Sequence, residues 1–92
     1  MEMANYILSI LRTQLIIVFS WGFHAPVAVD NGLKFLVNGR LHQGWVEVLY
    51  DEGSDLFQVR TLTNPSGSVK AEETDVYLDC LVRVIDRMVE TA

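Results

Sequence analysis

Apolar residues recur at Met3, Tyr6, Ile7, Ile10 and Leu11, with Glu2, Asn5, Ser9, Arg12 and Thr13 between them. The i, i+3, i+4, i+7, i+8 spacing predicts a surface helix with one buried face. From Leu15 the period gives way to LIIVFSWGF, a β-branched and aromatic run ending at Phe23. Such a run suits either a buried strand or a helix continuing into full burial, and periodicity does not separate the two. Pro26 drives Ala25 toward extended geometry and Asp30-Asn31-Gly32 is a turn signal, so residues 24–32 read as a connection.

Strand alternation follows. Leu33, Phe35 and Val37 alternate with Lys34 and Leu36, and Asn38-Gly39 is the signal for a two-residue type I′ hairpin. The return strand covers residues 40–50, with Val46, Val48 and Tyr50 on one face and Trp45, Glu47 and Leu49 on the other; Gly44 marks a bulge or bend. Asp51-Glu52-Gly53-Ser54-Asp55 closes a second hairpin into a strand at 56–62, and Asn64-Pro65-Ser66-Gly67 forms another turn. Residues 68–72 read as a short edge strand, because Lys70 and Glu72 suit an edge more than a centre. Thr74 or Asp75 then caps a C-terminal helix, with Glu72, Glu73 and Asp75 at its positive end and Tyr77, Leu81, Val84, Ile85 and Met88 at helical spacing. On its opposite face Asp79 and Arg83 form an i,i+4 pair. The pattern predicts a single α+β domain over residues 1–92, an antiparallel meander of three or four strands flanked by N- and C-terminal helices.

Charge narrows the function classes. The chain has 92 residues, half of them apolar and 21% charged, with a formal net charge of −5. Residues 1–46 hold three bases against two acids, and residues 47–92 hold four bases against ten acids. No window clusters Lys and Arg as a phosphate-binding stripe does, which argues against direct nucleic-acid binding. Cys80 is the single cysteine, so an internal disulfide and a cysteine-based zinc site are excluded, and a reducing, cytoplasmic setting is the natural expectation. The nine-residue greasy run is short of the ~20 residues of a membrane span. Glu2 at the start and Pro26 beside the small residues also argue against a cleaved secretory signal.

Chemistry-bearing residues are few. Cys80 lies in an apolar helical pattern near Asp75 and Asp79, a setting for burial and not for an activated thiolate. His24 sits before a proline turn and suits a loop hydrogen bond; His42 reads as a solvated strand residue. The acidic loop at 51–55 has oxygens around a glycine but lacks the twelve-residue ligand spacing of a calcium loop. No phosphate-binding, zinc-hydrolase or nucleophile-elbow motif occurs. The expectation is therefore a domain with no catalytic residue, metal or cofactor.

The segment WVEVLYDEGSDLF at 45–57, followed by Tyr77-Leu78-Asp79-Cys80-Leu81-Val82 and Ile85-Asp86, resembles small uncharacterised bacterial proteins in which a strand hairpin precedes a C-terminal helix. The resemblance implies a bacterial α+β domain and carries no activity or site residue. The leading functional expectation is a non-enzymatic protein-interaction or regulatory module, because the apolar content exceeds what one helix-covered sheet hides. An acidic modulator of a nucleic-acid-binding protein, using the carboxylates at 51–55 and 72–79, is one alternative. A small enzyme using His24 or His42 beside a carboxylate is another. A homodimer is expected, built on Leu15, Ile17, Phe19, Trp21 and Phe23 or on an open edge at the 33–37 strand.

Overall fold

The computed structural model describes residues 2–63 and 67–90. Helix α1 (Glu2–Leu11) passes through a 3-10 turn (Arg12–Gln14) into α2 (Leu15–Ser20). Five strands follow, β1 (His24–Val29), β2 (Gly32–Asn38), β3 (Gln43–Asp51), β4 (Leu56–Leu62) and β5 (Val69–Val76). A second 3-10 turn (Leu78–Cys80) leads into α3 (Leu81–Val89). The strands form one antiparallel sheet in sequence order, β1-β2-β3-β4-β5. The α+β meander with terminal helices is thus as the pattern predicts, with five strands in place of three or four.

Alternation in the three central strands sends Leu33, Phe35, Val37, Val46, Val48, Phe57 and Val59 to one face, where they are buried with Ile7, Leu11, Val18, Trp21, Leu81, Ile85 and Val89 from the helices and the turn after α2. Burying a side chain of this size is worth roughly 1.5–3 kcal/mol, so the shared face is what holds helices to sheet. In α1 the buried stripe is Ala4, Ile7 and Leu11, and Tyr6, expected inside, is 46% exposed.

The strand beyond those expected is β1, which lies at one edge of the sheet; β5, at the other edge, is the edge strand expected at 68–72. Residues 24–29, expected as a connection, are β1, which pairs with β2 through Val27↔Lys34, Ala28↔Leu33 and Val29↔Gly32. A bulge between His24 and Val27, with Ala25 at φ +52 beside Pro26, breaks the alternation that would have signalled a strand. The two-residue loop Asp30-Asn31, with Asn31 at φ +57, does make the turn expected there. Because β1 covers it, the 33–37 strand has no open edge, and the edge-to-edge dimer expected at that position is not available.

At the other edge β5 extends to Val76, so Thr74 and Asp75 cap no helix. Pairing with β4 (Phe57↔Val76, Val59↔Glu73, Arg60↔Glu72) outweighs the local helical signal, and Glu72 and Glu73 bind Arg60 and Arg87 across elements. Tyr77, expected on the helix's apolar face, is 63% exposed. Of the turn at 64–67, Asn64, Pro65 and Ser66 lie outside the described residues, and Gly67 (φ +74) donates its N–H to the Thr63 carbonyl at 2.7 Å.

The Asn38-Gly39 hairpin takes another form. Asn38 pairs with Gln43, leaving a four-residue loop, and Gly39 is there for close approach: a Cβ would sit 2.3 Å from Val89 Cγ1 and 2.6 Å from the Val89 carbonyl oxygen. The next residues complete the tie, with the Leu41 N–H donating to Val89 O at 2.7 Å. Tertiary packing against α3 selects this loop over the local type I′ preference.

Candidate interaction surface

Residues 15–23, open between strand and helix on pattern alone, are helix α2 and the turn after it. Only Val18 of α2 is buried. Leu15, Ile17 and Phe19 are exposed, Phe19 by 66%, and Ile16 by 88%. Trp21 departs from its expected place at a surface. It is fully buried, lies 6.5 Å from the Phe35 ring, and donates its Nε1–H to Asp86 Oδ1 of α3 at 2.8 Å. Phe23 is half-buried, its ring centroid 4.6 Å from that of Phe35. Of the five residues assigned to a patch, Leu15, Ile17, Phe19 and Phe23 therefore stay at or near the surface, and Trp21 anchors them from beneath.

Between α1–α2 and β1, Leu15, Phe19 and Phe23 border a groove of about 320 Å³, lined also by Leu8, Leu11, Val18, Pro26 and Arg12, while Ile16 and Ile17 lie outside it. No Asp or Glu occurs from Met3 to Val29, so the stretch that builds the groove is free of carboxylates in a chain that carries twelve acids. Ile16 is what sequence reasoning missed; its signal was the absence of any polar residue between Leu15 and Phe19. The turn between α1 and α2 also lengthens the greasy segment beyond its nine residues. Met3–Ser20 is one helical stretch long and apolar enough to cross a membrane by length and composition, with 22% of it buried in the domain.

The titratable candidates lie elsewhere and do not converge. His24 Nδ1–H donates to the Gly22 carbonyl at 2.6 Å. His42 is buried instead of solvated, and its Nε2–H donates to the Trp45 carbonyl at 2.9 Å. Burial pushes the imidazole below its ordinary value of 6.5; the Trp45 bond opposes this, and the charge of Lys70 adds to it. Cys80, expected buried, is partly buried against the core and accepts a hydrogen bond from Arg83 Nη2 at 3.1 Å, so Arg83 reaches the thiol and not the expected Asp79. The 51–55 loop is a hairpin tip as expected. Asp51 Oδ1 accepts the Gly53 N–H at 3.1 Å, Ser54 Oγ donates to Asp51 Oδ2 at 3.0 Å, and the Tyr50 hydroxyl donates to Asp55, which raises the phenol's pKa. Among the described residues no group of three His, Cys, Asp or Glu side chains converges on a metal-sized site. Compared with protein families, curated proteins and solved structures, the chain matches none of them.

Proposed function

We propose that this domain is a non-enzymatic protein-interaction module that receives an apolar segment of a protein partner in the groove between α2 and β1. The observation that carries the reading is α2 itself, a helix with one side chain in the core and Leu15, Ile16, Ile17 and Phe19 turned outward. Contiguous outward apolar side chains are unfavourable in water, and a partner that covers them removes that cost. Arg12 at the rim and the missing carboxylates favour a partner recognised by shape and apolar anchors, with little help from charge. The carboxylates of the acidic-modulator alternative are mostly engaged within the chain: Asp51 and Asp55 bind their own hairpin, and Glu72 and Glu73 bind arginines.

The test is capture of partners from the native cell with the full chain and with an Ile16→Asp, Phe19→Ser variant, at low and high salt. A partner retained at high salt by the parent chain and lost by the variant supports the module. Salt-sensitive capture that the variant keeps would point to the acidic surface instead. The apolar Met3–Ser20 stretch favours a second reading, a lipid surface, and flotation with neutral phosphatidylcholine vesicles distinguishes it.

A further inference from the structure

The sheet face turned away from the helices carries a pattern of its own. Following the register across the sheet, one row reads Lys34, Glu47, Arg60, Glu72 on β2 to β5, and a neighbouring row reads Leu36, Trp45, Leu62, Val69 on the same strands. Charge alternates strictly along the first row. Its members are held against the sheet: Lys34 Nζ sits 4.7 Å from the Trp45 ring centroid, and Arg60 reaches Glu47 at 3.4 Å and Glu72 at 2.7 Å.

A row ordered plus, minus, plus, minus complements itself when reversed. We propose that a second copy of this chain stacks on the open sheet face about a two-fold axis parallel to the strands, between β3 and β4. That rotation keeps each row at its own level and reverses the order of strands. Lys34 then faces the partner subunit's Glu72, Glu47 faces the partner's Arg60, and in the apolar row Leu36 meets the partner's Val69 while Trp45 meets the partner's Leu62. The row sums to zero charge, so the net charge of −5 on each chain does not oppose contact along it.

The overlap is that of a small, weak interface. About this axis β2 to β5 oppose the partner's β5 to β2 and β1 stays outside, so four strands at a spacing of about 4.8 Å, each of about seven residues rising about 3.3 Å, give roughly 440 Å² per face in plan. Two such faces bury about 900 Å², the size of a weak, reversible contact. The geometry is that of an aligned β-sandwich, with the two sheets about 10 Å apart. The proposal uses the face opposite the α2 groove and stands without the reading of that groove.

The experiment is sedimentation equilibrium of the full chain from about 1 µM to about 1 mM, a range that brackets micromolar association. The expected result is a mass rising from 10.4 kDa toward twice that value. Lys34→Glu alone and Glu72→Lys alone each set like charges face to face and raise the dissociation constant at least about tenfold. Mixed in equal amounts, the two variants restore association, because the acid introduced in one chain then meets the base introduced in the other. Circular dichroism melts confirm that both variants are folded, and Trp45→Ala, which removes apolar contact without altering the charges, provides a third perturbation. A monomer over the whole range overturns the proposal. A dimer indifferent to both charge changes also overturns it, as does a dimer lost in the Ile16→Asp, Phe19→Ser chain, since each places the contact elsewhere.

Discussion

Helices α2 and α3 lie on the same face of the same sheet, yet only one is finished as a surface helix. In α3, Leu81, Val82, Ile85 and Val89 are buried and the outer side carries Arg83 and Arg87. In α2 a single residue is buried and the outer side is Ile16, flanked by Leu15, Ile17 and Phe19. Both docking problems have the same solution in apolar burial, so the fold itself does not require the outward apolar residues of α2. The contrast separates residues held by folding from residues available for binding.

Substitutions should sort accordingly. Trp21→Ala removes the anchor that joins the α2 turn to α3 and should cost about 3–5 kcal/mol, and Ile85→Ala, which empties a fully buried site in α3, about 2–5 kcal/mol, each read as a lower urea midpoint. Gly39→Ala, which forces the β2–β3 loop off Val89, should cost about 1–3 kcal/mol in the same measurement. If Gly39→Ala proved neutral, the tie between that loop and α3 would be weaker than its geometry implies.

His42 gives a smaller effect with a defined sign. Its folded-state pKa lies below 6.5, so on acidification the unfolded chain takes up the proton first. Stability from this group is complete above 6.5 and falls as pH drops from there toward the lowered folded value. Denaturant midpoints compared at about pH 8 and about pH 5 should show the loss, and a His42→Gln chain should show less of it. Smallest of all, Ile16→Ser and Phe19→Ser should change stability by no more than about 0.5 kcal/mol while abolishing partner capture. A large destabilisation from either would show that α2 serves the fold as α3 does, and the contrast would disappear.

The central strands were legible because each keeps strict two-residue alternation with one buried face, as in Leu33-Phe35-Val37 and Phe57-Val59-Thr61. Of the edge strands, β5 was legible only over 68–72 and β1 was not legible. Pro26 and the bulge at Ala25 erase the period of β1, and the acids at 72–75 resemble a helix start until the pairing of β5 with β4 is known. Residues 15–19 were unreadable for a different reason: a segment that is apolar at every position has no period, and its exposure depends on what lies above it. The alternating Lys34-Glu47-Arg60-Glu72 row escaped notice because its members are scattered along the chain and only register assembles them.

The order β1-β2-β3-β4-β5 has a kinetic consequence. Every strand pairs with its neighbour in sequence, so the sheet can form through short loop closures, a topology that favours rapid folding. The hydrogen bond from Trp21 to Asp86 spans 65 residues, and the one from Leu41 to Val89 also returns to the far end of the chain. Closing contacts of such separation costs more chain entropy than closing a hairpin, so they are expected to form after the hairpins and open before them. They act as a latch, setting how long the native state survives and leaving the speed of its formation to the meander.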